Sequence, residues 1–373
     1  MGGGLWESLA LAPVRGENRA VTLRLTVDPN HLETPEAIDA LEQAAAILRR
    51  GGLVALPTET VYGLGANALD AEAVARIFTA KQRPSWDPVI VHVDSLAMVA
   101  PLVTEISEPA RRLMEAFWPG PLTLLLPRSE QVPDVVTAGR ALMGVRMPAH
   151  PVAWELIRRA GVPVAAPSAN LFSHISPTTA EHVLADLDGR IDVILDAGAA
   201  SHGVESTVLD PTQTPPVIYR PGAISREAIL RVVGEVEFYQ APSDKPGAAA
   251  SDAPPESLPS PGVGIRHYAP RARLILVEGA LPELPRLLGA AARPYVGQRL
   301  GVMLPEEVAL PVELATAEVF SWGRWQQPET LAHGLYAGLR QLDERGCQTI
   351  LCPLPPAAGI GAAIEDRLRK AAQ

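Results

Sequence analysis

Lys81, Arg83 and His92 stand together in the stretch AKQRPSWDPVIVHV (residues 80–93), two cations one residue apart followed by an apolar run that ends on a histidine. A helix that closes near Lys81 attracts cations to its negative end in any case. Pro84 ends that helix and restricts the direction Arg83 takes. Two readings are open: a solvated charge pair, or one edge of an anion site. Arg146, in GVRMP, lies inside an apolar strand. A guanidinium there requires an anionic partner, either a ligand or a structural carboxylate. Arg220, in VIYRPGAIS, stands directly before Pro221 and Gly222.

Three further stretches place small hydrogen-bonding side chains where a strand meets a loop. PTETVYGLGANA (57–68) offers Thr58, Glu59, Thr60, Tyr62, Gly63 and Gly65. Its glycines let backbone N–H groups approach a ligand, although a tight turn around a buried tyrosine would use the same residues. APSANLFSHISPTTAEHV carries Ser168 and Asn170, then Ser176 before Pro177 and Thr178. The last three open a helix whose N-terminus attracts phosphate, unless Ser176 or Thr178 simply caps it. GVESTVLD brings Ser206 and Thr207 into a strand.

No phosphate-binding G-x-x-x-x-G-K-[ST], no H-E-x-x-H and no G-x-S-x-G occurs. Two cysteines, Cys347 and Cys352, exclude a disulfide framework and a four-cysteine zinc site, and read as buried small hydrophobes. A net charge of -10 argues against a general nucleic-acid coat, because phosphate neutralisation needs clustered Lys and Arg. No apolar run reaches the roughly 18 residues of a membrane span. The opening MGGGLWESLALAPVRGENRA has no basic segment before its short apolar run and reads as a loose extension, not a secretory signal. The cytoplasm is therefore the expected location.

Strands and helices alternate around these residues. Strands are expected at 21–27, 53–57, PVIVHV, 122–126, MGVRM, VPVAA, DVILD, STVLD and PVIYR. Helices are expected from Pro35, capped by Thr34 and ended at Gly51; from Asp70 to about Ala80; over Glu108–Trp118 and 151–160; from near Thr178; and over Ser225–Val233. Ile38, Leu41, Ala45 and Leu48 form the buried stripe of the first helix. Several strands follow one another without a helix, so the sheet is expected to be mixed. Residues 241–263 hold six prolines and read as an extended linker. The α/β rhythm then restarts, with strands RLILV, RLGVM, AEVFSW and QTILC and helices at 282–292, 328–344 and 361–371. No G-x-G-x-x-G follows its first strand, so nothing points to a dinucleotide there.

LPTETVYGLGANA, K-x-R-P with PVIVH, WPGPLT, VRMP, APSAN, SPT, GVESTV and RPG, in this order, resemble the YrdC-type threonylcarbamoyl-AMP synthases. SPGVGIRHYAP and the last hundred residues resemble the long form of that family. The resemblance implies a twisted mixed α/β sheet of YrdC type over 25–238 after an extension over 1–24. It also implies a linker over 239–270 that covers the site, and a smaller Rossmann-like domain over 271–373. It implies a nucleotidyltransferase that joins L-threonine, bicarbonate and ATP into L-threonylcarbamoyl-AMP and pyrophosphate. The product would serve a downstream transferase machinery that forms N6-threonylcarbamoyladenosine on tRNA, with a weak contact to tRNA itself and no membrane.

By the same resemblance, Lys81 and Arg83 face the triphosphate and the reacting carboxylate. Arg146 clamps the threonine carboxylate, and Thr60, His92 and Ser206 complete the amino-acid pocket. Ser168, Asn170, Ser176 and Arg220 hold the nucleotide, with the backbone near Leu142 and Ala166; Arg83 and Asp87 share that loop, and Tyr268 closes over it. Mg²⁺ is expected to arrive with ATP, its ligands mostly phosphate oxygens because no carboxylate cluster is visible. Two departures stand out. Asp87 replaces a common Asn and adds a negative charge near phosphates. Ser173 and His174 stand where Ser-Gly is common. The competing reading is an RNA-binding module that uses a concave basic face of the same fold.

Overall fold

The computed structural model describes residues 21–240 and 268–373. The readings of 1–20 and of the proline-rich 241–263 lie outside the described residues. Among these, eleven strands form the first sheet: β1 (Leu23–Thr26), β2 (Val54–Leu56), β3 (Gly63–Asn67), β4 (Val91–His92), β5 (Leu122–Pro127), β6 (Leu142–Arg146), β7 (Val164–Ala165), β8 (Val193–Asp196), β9 (Thr207–Asp210), β10 (Val217–Arg220) and β11 (Glu237–Phe238). Their order is β1-β8-β2-β3-β7-β4-β6-β5-β9-β10-β11, with parallel and antiparallel neighbours. The mixed sheet is thus as expected. β3 runs through GLGAN, where no strand is expected from the sequence, and β4 is shorter than PVIVHV suggests.

Period-two alternation divides the buried side chains between the two faces. Ala55, Leu64, Val91, Val145, Ala165 and Ile194 join one core, which continues under the helices Ala71–Lys81 and Glu108–Phe117. Val54, Leu56, Val164, Val193 and Leu195 point the other way, against the helices Pro35–Arg49 and Pro151–Ala160. This second cover stops short of the β6-β5-β9 region, where that face carries only the small apolar cluster Ile90, Leu125 and Val208. The incompletely covered half of the sheet is where polar side chains collect.

The helix ends follow local chemistry. Thr34 Oγ1 accepts from Ala37 N, and Asp70 accepts from Glu72 N and Ala73 N, each satisfying first-turn donors. The helix expected near Thr178 starts at Ala180, and its cap is Thr179, not Ser176 or Thr178. Ile38 is exposed; Ala37, Leu41, Ala44, Ala45 and Leu48 make the inward stripe.

The second sheet has four parallel strands, β12 (Arg273–Val277), β13 (Leu300–Pro305), β14 (Glu318–Gly323) and β15 (Thr349–Pro353), in the order β12-β15-β13-β14. Leu331, Leu335, Leu339 and Leu342 of the helix Pro328–Glu344 are buried in its core, and both cysteines are buried. That core extends to Val61, Ile175, Val204 and Tyr268, which precede the second sheet in the chain. At Gly203 (φ +72°) an added Cβ would lie 2.5 Å from the Ala332 carbonyl oxygen. The helix Pro328–Glu344 therefore rests directly on the backbone of the first domain.

Candidate active site

Strand parity carries three of the candidate residues to the open half-sheet. Val91 and Val145 enter the core beneath, so their neighbours His92 and Arg146, paired in register across β4 and β6, lie on the opposite face. Ser206, just before β9, joins them; its Oγ lies 2.8 Å from Thr123 Oγ1. Arg220 reaches the same face by a different route. It should share the side of Ile218, which is in the core, but a register shift between the two pairs Arg220 with Val208. Such a bulge re-aims the side chain. The guanidinium then grips Ser206, with Nη2 donating to its carbonyl at 2.9 Å and to its Oγ at 3.1 Å.

One cleft is lined by Thr60, Arg83, His92, Arg146, Ala166, Ser168, Ser206, Arg220 and Tyr268, together with Thr58, Gly63 and Glu205. At its floor Arg146 Nε donates to Gly120 O at 3.2 Å and Nη1 to Thr60 Oγ1 at 2.9 Å. Its Nη2 lies 2.7 Å from Glu59 Oε1, an ion pair not aligned as a hydrogen bond. The structural carboxylate allowed by the sequence therefore exists, and it is Glu59. Burial pushes the Glu59 carboxyl up, but Arg146 outweighs it and the pKa falls to about 2. Burial, then the Arg146 charge, lower His92 to about 3, so it is a neutral imidazole at ordinary pH. His92 lines the cleft, and its Nδ1 is buried.

Arg83 lines the cleft with its fork tied back by its own loop: Nε to Asp87 O at 3.2 Å, Nη2 to Pro88 O at 2.8 Å, and Nη2 to Asp87 Oδ2 at 2.9 Å. Asp87, fully buried, therefore arrives with a counter-charge and does not present a bare negative group to the cleft. Lys81 is elsewhere. Its ammonium, 1% exposed, donates to the carbonyls of Ser168 and Asn170 and is not among the residues lining the cleft. Burial, with Arg83 adding repulsion, holds it well below the ordinary lysine range. Neither solvated nor facing the cleft, it fastens the 168–170 loop to the end of the helix Ala71–Lys81. Asn170, Ser176 and Leu142 also stand outside the lining: Asn170 Nδ2 donates to Leu171 O and His174 O, and Leu142 packs on the small apolar cluster. Within the departing pair, Ser173 has φ +68° and its carbonyl accepts from Ala269 N at 3.0 Å, whereas His174, where glycine is common, has no positive φ.

Glu205 lies within GVESTV, where residue type and spacing assign it no role. Its carboxylate accepts from Ser176 Oγ at 2.6 Å and from Arg367 Nε at 2.7 Å, and Tyr336 Oη lies 3.0 and 2.9 Å from its two oxygens. Burial pushes Glu205 up, yet Arg367 and then Arg220 bring it to about 2. Arg367 and Tyr336 belong to the second domain, more than a hundred residues away in sequence, and no local motif signals them. Tyr268 joins the same network, its ring stacked 5.9 Å from Tyr336 and its hydroxyl raised to about 12 by burial.

Comparison with known proteins places the chain. A family model of Sua5, YciO and YrdC proteins, described as telomere recombination, matches residues 46–222. A second, the threonylcarbamoyl-AMP synthase C-terminal domain, matches residues 224–373. The threonylcarbamoyl-AMP synthase of Pyrococcus abyssi is 44% identical over 330 residues, covering 88% of this chain and 92% of that one. The chain belongs to the threonylcarbamoyl-AMP synthase family, in its two-domain form. The Bacillus subtilis synthase is 45% identical over 334 residues, covering 89% of this chain and 92% of that one. In structure, P. abyssi Sua5 complexed with L-threonine aligns with a TM-score of 0.83 at 41% identity, over 94% of this chain and 97% of that one. The synthase fold thus accounts for both sheets.

Proposed function

We propose that the protein makes L-threonylcarbamoyl-AMP and pyrophosphate from L-threonine, bicarbonate and ATP, as a nucleotidyltransferase acting in tRNA modification. The observation that carries this reading is the convergence of three arginines, Arg83, Arg146 and Arg220, with a neutral histidine and five hydroxyl side chains on one cleft. The substrates need that set: a carboxylate, a carboxylated amine and a triphosphate are all anions. In the reaction the threonine amine bonds to the bicarbonate carbon, the C–OH bond breaks, and the hydroxyl leaves with an amine proton as water, giving an N-carboxylate. A carboxylate oxygen then attacks the α-phosphorus, and the bond to the bridging oxygen breaks with its electron pair leaving on pyrophosphate. The protein's share is to hold the anions in line and to stabilise charge spreading over the phosphoryl oxygens.

We read Arg146 as the clamp on the threonine carboxylate, with Thr60 holding its Nη1 and Glu59 steadying its Nη2. His92 and Ser206 complete the amino-acid side, and Arg83, Ala166, Ser168, Arg220 and Tyr268 the nucleotide side. Lys81, Asp87, Asn170 and Ser176 act one step back: Lys81 holds the 168–170 carbonyls, and Asp87 holds Arg83. Leu142 packs beneath the site, in the small apolar cluster. The carboxylates nearest the cleft do not fit a protein-held Mg²⁺. Glu59, Asp87 and Glu205 are each paired with an arginine, and no cluster of three metal-ligating side chains occurs among the described residues. Mg²⁺ on the phosphates alone is compatible with this set. The RNA-binding alternative gains nothing from the site, because Arg83, Arg146 and Arg220 are buried and form no stripe that could track a backbone.

Purified protein is expected to release pyrophosphate and form the adenylate only with threonine, bicarbonate and ATP all present. Pyrophosphate release that ignores threonine would refute the reading.

A further inference from the structure

Glu205 is a carboxylate on the wall of a cleft otherwise built for anions, and the reaction gives it no task. It is 6% exposed, and its first-domain partner, Ser176, brings a hydroxyl but no charge. The opposing charges are Arg367, from the other domain, and after it Arg220 of the first domain. Arg367, on the helix Gly361–Ala371 and 1% exposed, donates Nε to Glu205 at 2.7 Å and Nη2 to the Pro221 carbonyl at 3.0 Å, one residue beyond Arg220. Its guanidinium carbon also lies 5.0 Å from the centre of the Tyr268 ring. Asp366, of like sign to Glu205, is paired with Arg367 and also with Lys370, the latter at 2.9 Å. Without Arg367, Arg220 is left as the charge opposing Glu205 among the described residues, and it is drawn toward the cleft wall.

We infer that Arg367 is a positioning residue of the nucleotide site: it cancels Glu205 on the cleft wall and so leaves Arg220 to the nucleotide, and the second domain thereby completes the electrostatics of the first. This rests on the proposed function, which puts the triphosphate beside Arg220. A charge pair that merely glued two domains would affect folding, not one substrate. A Glu205 opposed by Arg220 alone instead weakens the hold on the most highly charged substrate and leaves threonine little affected.

The test uses the full-length protein and steady-state pyrophosphate release. Arg367→Gln is expected to raise the ATP KM by about tenfold or more, with the threonine KM within about threefold of wild type. Arg367→Lys, which keeps the charge, and the double variant Glu205→Gln/Arg367→Gln, which removes both charges, are each expected to stay within about threefold for ATP. An Arg367→Gln ATP KM within about threefold of wild type, or an equal rise for threonine, overturns the inference. If Arg367→Gln does not fold, the double variant decides: within about threefold supports the inference, and beyond about tenfold overturns it. A wild type that forms no adenylate would refute the functional reading instead. Calorimetry of ATP binding to the same variants would then still decide this one, with weakening of about tenfold in Arg367→Gln expected and unchanged affinity overturning it.

Discussion

Arg146 combines two demands in one side chain. It is buried at 3% exposure, so its charge must be matched, and its fork meets Thr60 and Glu59 at once. Lysine would keep the charge and lose the planar geometry. Arg146→Lys is therefore expected to raise the threonine KM by roughly 10- to 100-fold, since each charge-assisted bond is worth about 1.5–3 kcal/mol. Threonine saturation curves check this, and a KM within about twofold of wild type would remove Arg146 from the amino-acid side. Residue type alone made Arg146 conspicuous. It could not say that Asp87, suspect as a charge near phosphate, is already bonded to Arg83, because that pairing depends on how the 83–88 loop folds back.

At the level of elements, alternation in β4 and β6 puts His92 and Arg146 on one face, and this was readable from PVIVHV and GVRMP. Arg220 was not readable in the same way. Parity in VIYR alone gives the wrong face, and only the bulge in the pairing of β10 with β9 turns it. The helix Pro328–Glu344 was equally plain as a leucine stripe, yet its outer contact with Gly203 was hidden. An added side chain there would meet backbone atoms of Ala332 and His333 at 2.5–2.8 Å, and the positive φ disfavours any side chain. Gly203→Val is thus expected to lever the helix off the first domain and lower the melting temperature by several degrees, with a larger fall in activity than the stability loss explains. Thermal unfolding alongside activity at low temperature measures both. An unchanged melting temperature would mean that the contact gives way without cost.

For the whole molecule, the buried ionisable groups set an acid limit. Burial first, then the Arg146 charge, takes His92 from 6.5 to about 3; burial, then the Arg340 charge, takes His182 from 6.5 to about 4. Below pH 6.5 the unfolded chain therefore binds protons that the folded chain does not, and stability falls as pH falls. Glu59 and Glu205, at about 2 against 4.5, extend the loss from pH 4.5 downward, because their native charge pairs must be protonated. Urea unfolding is expected to show a steady fall in stability below pH 6.5. His92→Gln should reduce the slope between pH 6.5 and 4.5 by up to about 1.4 kcal/mol per unit. An unaltered slope would mean that His92 is not held neutral by the fold.

The sequence by itself determined the alternation of strands and helices, the caps at Thr34 and Asp70, and the order of motifs that resembles one enzyme family. These are local or linear properties, written in periodicity and in the residues at element ends. Only the tertiary structure decided which charges meet. Glu59 pairs with Arg146, Asp87 with Arg83, Lys81 with two backbone carbonyls, and Glu205 with Arg367 across a domain boundary. The physical reason is that burial makes a charge choose a partner, and the partner within reach is set by packing between segments that may lie 162 residues apart, as Glu205 and Arg367 do.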